Sequence, residues 1–514
     1  MFDSIRKIKK EYLFLFFILA LAIFLRFFNL KNTFMFQGDQ GRDALVVSQI
    51  FKEKDPVFIG PVTSIGNMYL GPFYYYFMLP FLFLSYPNPI GPVYAVAGLS
   101  VLTVFLLFKI TKKLFNKKTA YISTIFFTLS AGVVNLARFS WNPNIAPFFS
   151  LLMFYFTFQA WKKNTKYWLL VSLCFSLLIQ LHYVTLLSLS GAGIVFLIQL
   201  IAKIKNNKKH FFVEEKRFFK HVALAILIFI ISLTPLMLFD YKHDFTNAKS
   251  FTKILVKEES FDLQRKKGRE GFGAITKFVT IDLKNRASQI LFEPSFAANK
   301  INYPLLYLLL LSSVFYLVKN KNKIKDSEIV LLAYLLPGII GISLYQHEVY
   351  EHYIAYLFPF VYILYGLFFA KFKNKWLMLA IILPFLAFFI SSNISRYSIK
   401  DAGWKPGDMS KTSDEIYRRV NKDEKYNIVL FSPSKDSYGM SYRYFLSTKE
   451  NKIVELEDHQ LATKLFIIND EKEVRNDIFD TSLYEVVVFP SRTIDEVFQM
   501  ENGPEISVLT SYNK

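Results

Sequence analysis

Residues 6–28, RKIKKEYLFLFFILALAIFLRFF, set four basic side chains (Arg6, Lys7, Lys9, Lys10) directly ahead of an apolar run from Tyr12 to Phe28. The run is too long for the core of a cleaved signal peptide, and no small-x-small cleavage site follows it. It reads as a signal anchor that stays in the chain and keeps the N-terminus cytoplasmic. Comparable runs recur at 91–108, 119–136, 145–161, 167–181, 184–202, 219–239, 302–318, 328–345, 353–370 and 376–391. At about 1.5 Å per residue, runs of roughly 16 to 20 residues suffice for about 30 Å of hydrocarbon. The sequence therefore predicts a polytopic α-helical membrane protein with about eleven spans.

The basic residues set the topology. A further apolar run, 69–85 (YLGPFYYYFMLPFLFLS), is read as a juxtamembrane or re-entrant element. If it crossed, the basic loop 109–118 (KITKKLFNKK) would lie outside and every later loop would invert. Without it, loops 109–118, 162–166, 203–220, 319–325 and 371–375 all fall inside with the N-terminus, as the positive-inside rule requires. Gly71-Pro72 and Pro80 suit a broken helix packed on protein. The chain has 61 Lys+Arg against 41 Asp+Glu, a formal charge of +20. The inner segments alone hold about 26 basic and about 6 acidic residues, which accounts for the whole excess. The charge is a topology signal, and no nucleic-acid partner is implied. The single cysteine, Cys174, excludes an intrachain disulfide framework, and 56 Phe exclude a disordered chain.

On this topology the outer face carries a first loop (29–90), a short loop near Arg138–Asn144, a turn at His182-Tyr183, a large loop (240–300) and the segment HEVYEH (347–352). Residues 1–391 form the membrane module. Residues 392–514 read as a small extracytoplasmic α/β domain, with strand-like runs at Tyr426–Phe431, Lys452–Leu456, Leu465–Ile468 and Val486–Phe489 and a helix-like stretch at Ser437–Lys449.

Chemistry concentrates in Phe36-Gln-Gly-Asp39-Gln40-Gly41-Arg42-Asp43-Ala44, which follows the first span at the membrane surface. If a helix begins near Gly41, Asp39 lies by its N-terminus, where the dipole favours a carboxylate. The bland reading of the same residues is a capped surface helix with an Asp/Arg pair.

A signal-anchor span, an acidic motif in the first outer loop and a Gly/Pro-Tyr-rich juxtamembrane stretch together resemble the GT-C glycosyltransferases. The likeness is to the branch of lipid A aminoarabinose transferases and protein O-mannosyltransferases, which use a polyprenyl-phosphate-linked sugar. That family's Asp-Glu-x-Arg-Tyr motif appears here as Asp39-Gln40-Gly41-Arg42-Asp43. The resemblance implies that Asp39 is the catalytic acid/base and Arg42 the donor-phosphate arginine. Gln40 stands where the family has Glu, Asp43 where it has Tyr, and Leu70-Gly71-Pro72 lacks the lysine expected there. A polyprenyl phosphate is already a good leaving group, so positive charge at the departing oxygens matters more than a general acid. The loss of Glu at position 40 is compatible with that. No cofactor is required, and a need for a divalent metal stays open. The acceptor class (glycan, lipid or protein) also stays open.

Other outer-side polar residues are candidates for the same site. Gln40 and Asp43 flank the motif. Lys242 and His243 follow Thr234-Pro235 in LFDYKHDF, in an arrangement similar to the family's after a middle span, where a basic group can reach a donor phosphate. Arg138 in NLARFSWNPN binds phosphate or snorkels to headgroups. His182 ends an apolar run, as a packed interfacial residue or a site residue. Tyr74 and Tyr75, in Phe73-Tyr-Tyr-Tyr76, line a sugar or prenyl site or belong to an aromatic belt. His347, Glu348, Glu351 and His352 form an H-E-x-x-E-H cluster whose members fall at i,i+4 if helical; it lacks the zinc-protease spacing. It is either an acceptor or donor contact or a wet loop. A transporter or lipid-linked glycan flippase is the alternative, but it predicts internal repeats and midplane charges, and the spans are nearly free of acidic residues. An assembly protein gives no reason for GDQGRD at the lip of the first span.

Overall fold

A computed structural model of the chain describes all residues except 1, 64–67, 207–210, 257–275, 320–323, 346–347, 423, 432–435, 451–452, 471–477 and 512–514. Helices lie on each of the eleven apolar runs. Among the described residues, six helices are long and apolar enough to cross a membrane: Ile90–Leu114, Tyr183–Asn206, Lys216–Lys242, Asp326–Ser343, Glu351–Ala370 and Lys375–Ile394. Lys117–Leu129 with Ala131–Ala137 makes a seventh if the pair is one span, bent by 61°. The remaining runs are shorter or carry charge, as in Ala146–Lys162 and Tyr167–Leu181. The chain is thus a multi-pass membrane protein. The run 69–85 forms a 13-residue helix, Phe73–Ser85; at about 1.5 Å per residue it is too short to span.

The bend at Ser130 shows how an interrupted helix survives in an apolar setting. Ser130 Oγ accepts from Val133 N (3.4 Å) and donates to Pro294 O (2.9 Å). Asn393 Oδ1 accepts from Ala131 N (2.6 Å), while its amide donates to Ser295 O and Phe389 O, both at 2.7 Å. The backbone groups freed by the break therefore keep partners, as burial away from water demands.

The chain divides into two compact units. The larger takes residues 1–28, 57–74 and 96–398, and holds most of the apolar helices. The other joins residues 29–56 and 75–95 to the C-terminal 399–514.

The second unit is built on a four-stranded sheet, β1 (Tyr426–Phe431), β2 (Lys464–Asn469), β3 (Glu496–Gln499) and β4 (Glu505–Thr510), in the order β1-β2-β4-β3. β1 and β2 are parallel and the other pairings antiparallel. Both faces are covered. Tyr426, Ile428, Leu430, Phe466 and Ile468 pack with Tyr442 and Leu446 on one side. Val429, Phe431, Leu465 and Ile467 pack with Val486 and Phe489 on the other. Burial on both faces gives β1 and β2 their largely apolar reading.

Two expected strands are corrected. Residues 453–455 have no regular structure and a 3-10 helix runs over Leu456–Leu461; Lys452 lies outside the described residues. Val486–Phe489 is not a strand either, because Tyr484–Val488 is helical. Its β-branched run favours a strand by propensity, but β1 and β4 already flank β2, and Val486 and Phe489 instead cover the sheet. β3 and β4 were not anticipated; β3 is mostly exposed and carries little alternation.

The helix expected at Ser437–Lys449 forms over Met440–Leu446. Arg443 within it is 3% exposed. It donates to Tyr438 O (2.9 Å), Val454 O (3.0 Å) and the Asn427 side chain. Replacing Arg443 by Met removes these bonds, leaves the buried Asn427 carbonyl without this donor, and should cost the second unit on the order of 2 kcal/mol. Thermal unfolding in detergent, with protease cleavage within 399–514 as a second readout, measures it; unchanged unfolding contradicts this structural role.

Candidate functional site

In the second unit, helix Gly38–Glu53 starts at the acidic motif. Its first turn is closed by Gln40, whose Oε1 accepts from Gln37 N at 3.1 Å. Gln40 is 2% exposed, so its carbonyl serves the helix end. Asp39 lies in the same turn with its side chain 47% exposed. Arg42 binds it through Nη1 to Oδ1 at 2.9 Å. Arg42 is held in turn by Asp43, whose Oδ1 accepts from Nε (3.0 Å) and Nη2 (2.8 Å). Asp43 is fully buried, and Tyr75 OH donates to the same oxygen at 3.2 Å. The motif is therefore a chain, Tyr75 to Asp43 to Arg42 to Asp39, that runs from the interior to the surface. Burial opposes the Arg42 charge, but Asp43, Tyr75 and Asp39 outweigh it and raise its pKa. Arg42 stays cationic at any physiological pH.

Two glycines place this helix. A Cβ at Gly41 would collide with the backbone of Met440 and Ser441, and one at Gly38 with the Asp436 carboxylate. The backbone of the motif thus rests directly on helix Met440–Leu446. Asp436 Oδ2 accepts from Met440 N at 3.0 Å. Burial pushes the Asp436 carboxyl up, the Met440 bond pulls it back, and the nearby charge of Asp39 pushes it up again. Asp436 was not singled out in the sequence. Its only signal is an Asp three residues before Gly439, which adopts φ +62°, and that pattern reads as turn and cap chemistry.

In the larger unit the candidates fall into separate groups. His182 sits in the turn after helix Tyr167–Leu181, where Nδ1 accepts from Val184 N at 3.2 Å. Its ring lies 4.6 Å from Tyr353 and 6.3 Å from His352, and His352 lies 4.2 Å from Trp141. Trp141 and Tyr353 complete an aromatic cluster that the sequence reading did not assemble. Burial pushes His182 down to about 4. Glu348 is exposed and accepts from Tyr350 OH at 2.9 Å. Helix Glu351–Ile354 begins only at Glu351, after extended Tyr350, so Glu348 and His352 are not a helical pair. His347 lies outside the described residues. Glu351 pairs with Arg396 at 3.7 Å.

Arg138 is 4% exposed and donates to three backbone carbonyls, Ser398, Leu25 and Arg26, each at 3.1 Å. Two of these are the last carbonyls of helix Phe2–Phe27, so Arg138 serves as its C-terminal cap. Tyr74 is buried with its hydroxyl 2.8 Å from Ser140 Oγ. Lys242 and His243 are exposed at the end of helix Lys216–Lys242, where His243 stacks on Phe239 at 4.0 Å. Asn247 clamps Tyr69, receiving its N–H at 2.8 Å and donating to its carbonyl at 2.9 Å. No group of three or more His, Cys, Asp or Glu among the described residues converges to hold a metal.

A family profile described as dolichyl-phosphate-mannose-protein mannosyltransferase matches residues 71–237. No curated protein sequence matches. Solved structures resemble the whole chain. ArnT from Cupriavidus metallidurans bound to undecaprenyl phosphate aligns with a TM-score of 0.58 at 10% identity, covering 96% of this chain and 97% of that one. Its apo state gives 0.59 at 11% identity, with the same coverage. The archaeal oligosaccharyltransferase AglB from Archaeoglobus fulgidus, in complex with an inhibitory peptide and a dolichol-phosphate, gives 0.51 at 12% identity over 90% of this chain and 70% of that one. The chain has the GT-C glycosyltransferase fold.

A base with a folded pKa below its unfolded one binds fewer protons when folded, so acid costs stability. The contribution of neutral His182 is present at neutral pH and is lost as pH falls from about 6.5 toward 4. Thermal unfolding of wild type and His182→Gln across that range should show the wild type losing stability faster toward acid. Parallel curves contradict the buried neutral imidazole.

Proposed function

We propose that the chain is a membrane glycosyltransferase that moves a sugar from a polyprenyl-phosphate donor to a hydroxyl acceptor on the extracytoplasmic face. The observation that carries this is the half-exposed Asp39, held in place by an arginine anchored on a buried carboxylate. Such a carboxylate is oriented in advance and still open to a substrate. The mannosyltransferase profile match and the lipid phosphates bound in the two GT-C relatives support a lipid-linked donor.

In a single displacement the acceptor oxygen attacks the anomeric carbon as Asp39 takes its proton. The bond from that carbon to the phosphate oxygen breaks, and the electron pair leaves with the polyprenyl phosphate. Arg42 keeps positive charge beside Asp39 and stabilises the departing anion. Its bond to Asp39 is at the outer end of the chain, while the two bonds to Asp43 hold the guanidinium in place. The N-terminus and the loops rich in lysine lie on the cytoplasmic side.

Membranes carrying the wild type should transfer label from one of a panel of polyprenyl-phosphate sugars. Asp39→Asn should reduce transfer by about a hundredfold or more, with unchanged protein levels. Full activity in that variant, at equal expression, contradicts the assignment.

A further inference from the structure

The sheet unit holds a cleft of about 240 Å³ that the Asp39 motif does not line. Asn427, His459, Gln460, Leu465, Tyr484 and Glu485 contribute to its walls. Within its lining, Asn427 of β1 stands opposite Leu465 of β2.

Asn427 is the unusual residue there. It shares a mainly apolar face with Val429, Phe431, Leu465 and Ile467, on which Ser507 is also buried. At 2% exposure, its amide is costly to bury unless it is satisfied. Its Oδ1 accepts from Arg443 and from Ile428 N. Tyr484, also in the lining, is 59% exposed, its ring 4.9 Å from that of His459. Among its described residues the cleft is therefore lined by an exposed aromatic side chain, two amides, one imidazole and one carboxylate.

This chemistry selects among ligands. Among the described residues no Lys or Arg lines the cleft, so a phosphate or nucleotide would find no charge there to pair with. One carboxylate is too few for a divalent cation. A neutral sugar ring matches. Its C–H face packs on tyrosine, and its hydroxyls both donate to carbonyl or carboxylate oxygens and accept from amide N–H groups.

We propose that this cleft binds a neutral sugar unit of an oligosaccharide acceptor, remote from the unit that reacts. The cleft lies on the sheet face opposite helix Met440–Leu446. Arg443 of that helix reaches Asn427, and the backbone of the same helix seats Gly41 of the Asp39 helix. The link joins the cleft to the platform of the motif. The proposal extends the glycosyltransferase reading by assigning a place to the acceptor, and it is tested by binding without turnover so that each can fail alone.

Full-length protein in detergent, as wild type and as Asp39→Asn, is applied to an array of immobilised neutral oligosaccharides, with phosphorylated and uronic-acid sugars as comparison arms. Both proteins should retain the same neutral oligosaccharides. Tyr484→Ala and Gln460→Ala should each bind about tenfold more weakly, and Tyr484→Phe close to wild type. The exposed position of Tyr484 leaves the core intact in these variants. Retention of no neutral sugar, retention only of charged sugars, or equal binding by Tyr484→Ala overturns the proposal.

Discussion

The arrangement at the motif depends on one buried ionic contact. Asp43 has no exposure, and a lone carboxylate there would be strongly disfavoured. Arg42 answers it with two hydrogen bonds and extends its remaining arm to Asp39. Removing either partner leaves an uncompensated charge inside the unit. The contact therefore fixes the rotamer of Arg42, and through it the direction of the one carboxylate that reaches solvent. Tyr75, from a separate helix, adds a hydroxyl donor to the same Asp43 oxygen.

That anchor requires close backbone approach. Gly38 and Gly41 flank Asp39 and Gln40, and neither position has room for a Cβ. A helix that begins in the first tenth of the chain and a helix from its last fifth consequently build one compact unit. The domain beyond residue 392 is more than an appendage, because its helix Met440–Leu446 is the floor on which the motif rests.

Much of the architecture was legible because it follows from periodicity and charge. The eleven apolar runs are helical, and 69–85, read as a juxtamembrane or re-entrant element, holds the short helix Phe73–Ser85. β1 and β2 were legible as largely apolar runs. What escaped was set by tertiary context. Val486–Phe489 reads as strand by composition and becomes a helical cover because β2 already has two neighbours. Asp436 looked like turn chemistry, since nothing local says that Gly38, some 400 residues away, leaves space for its carboxylate. Arg138 looked like a possible phosphate ligand, yet its donors go to carbonyls that no sequence pattern reveals. Gln40 looked like a departure from a catalytic acid and is a cap. Charged residues were legible as a set, but their partners were not.

The central claim is that Asp43 and Arg42 act through each other to position Asp39. A double-mutant cycle on the sugar-transfer rate tests it, with Arg42→Gln, Asp43→Asn and the pair together in membranes of equal protein content. If the residues form one chain, the double variant falls no further than the worse single variant, because either change already releases Asp39. Losses that multiply, as for independent sites, would contradict the account.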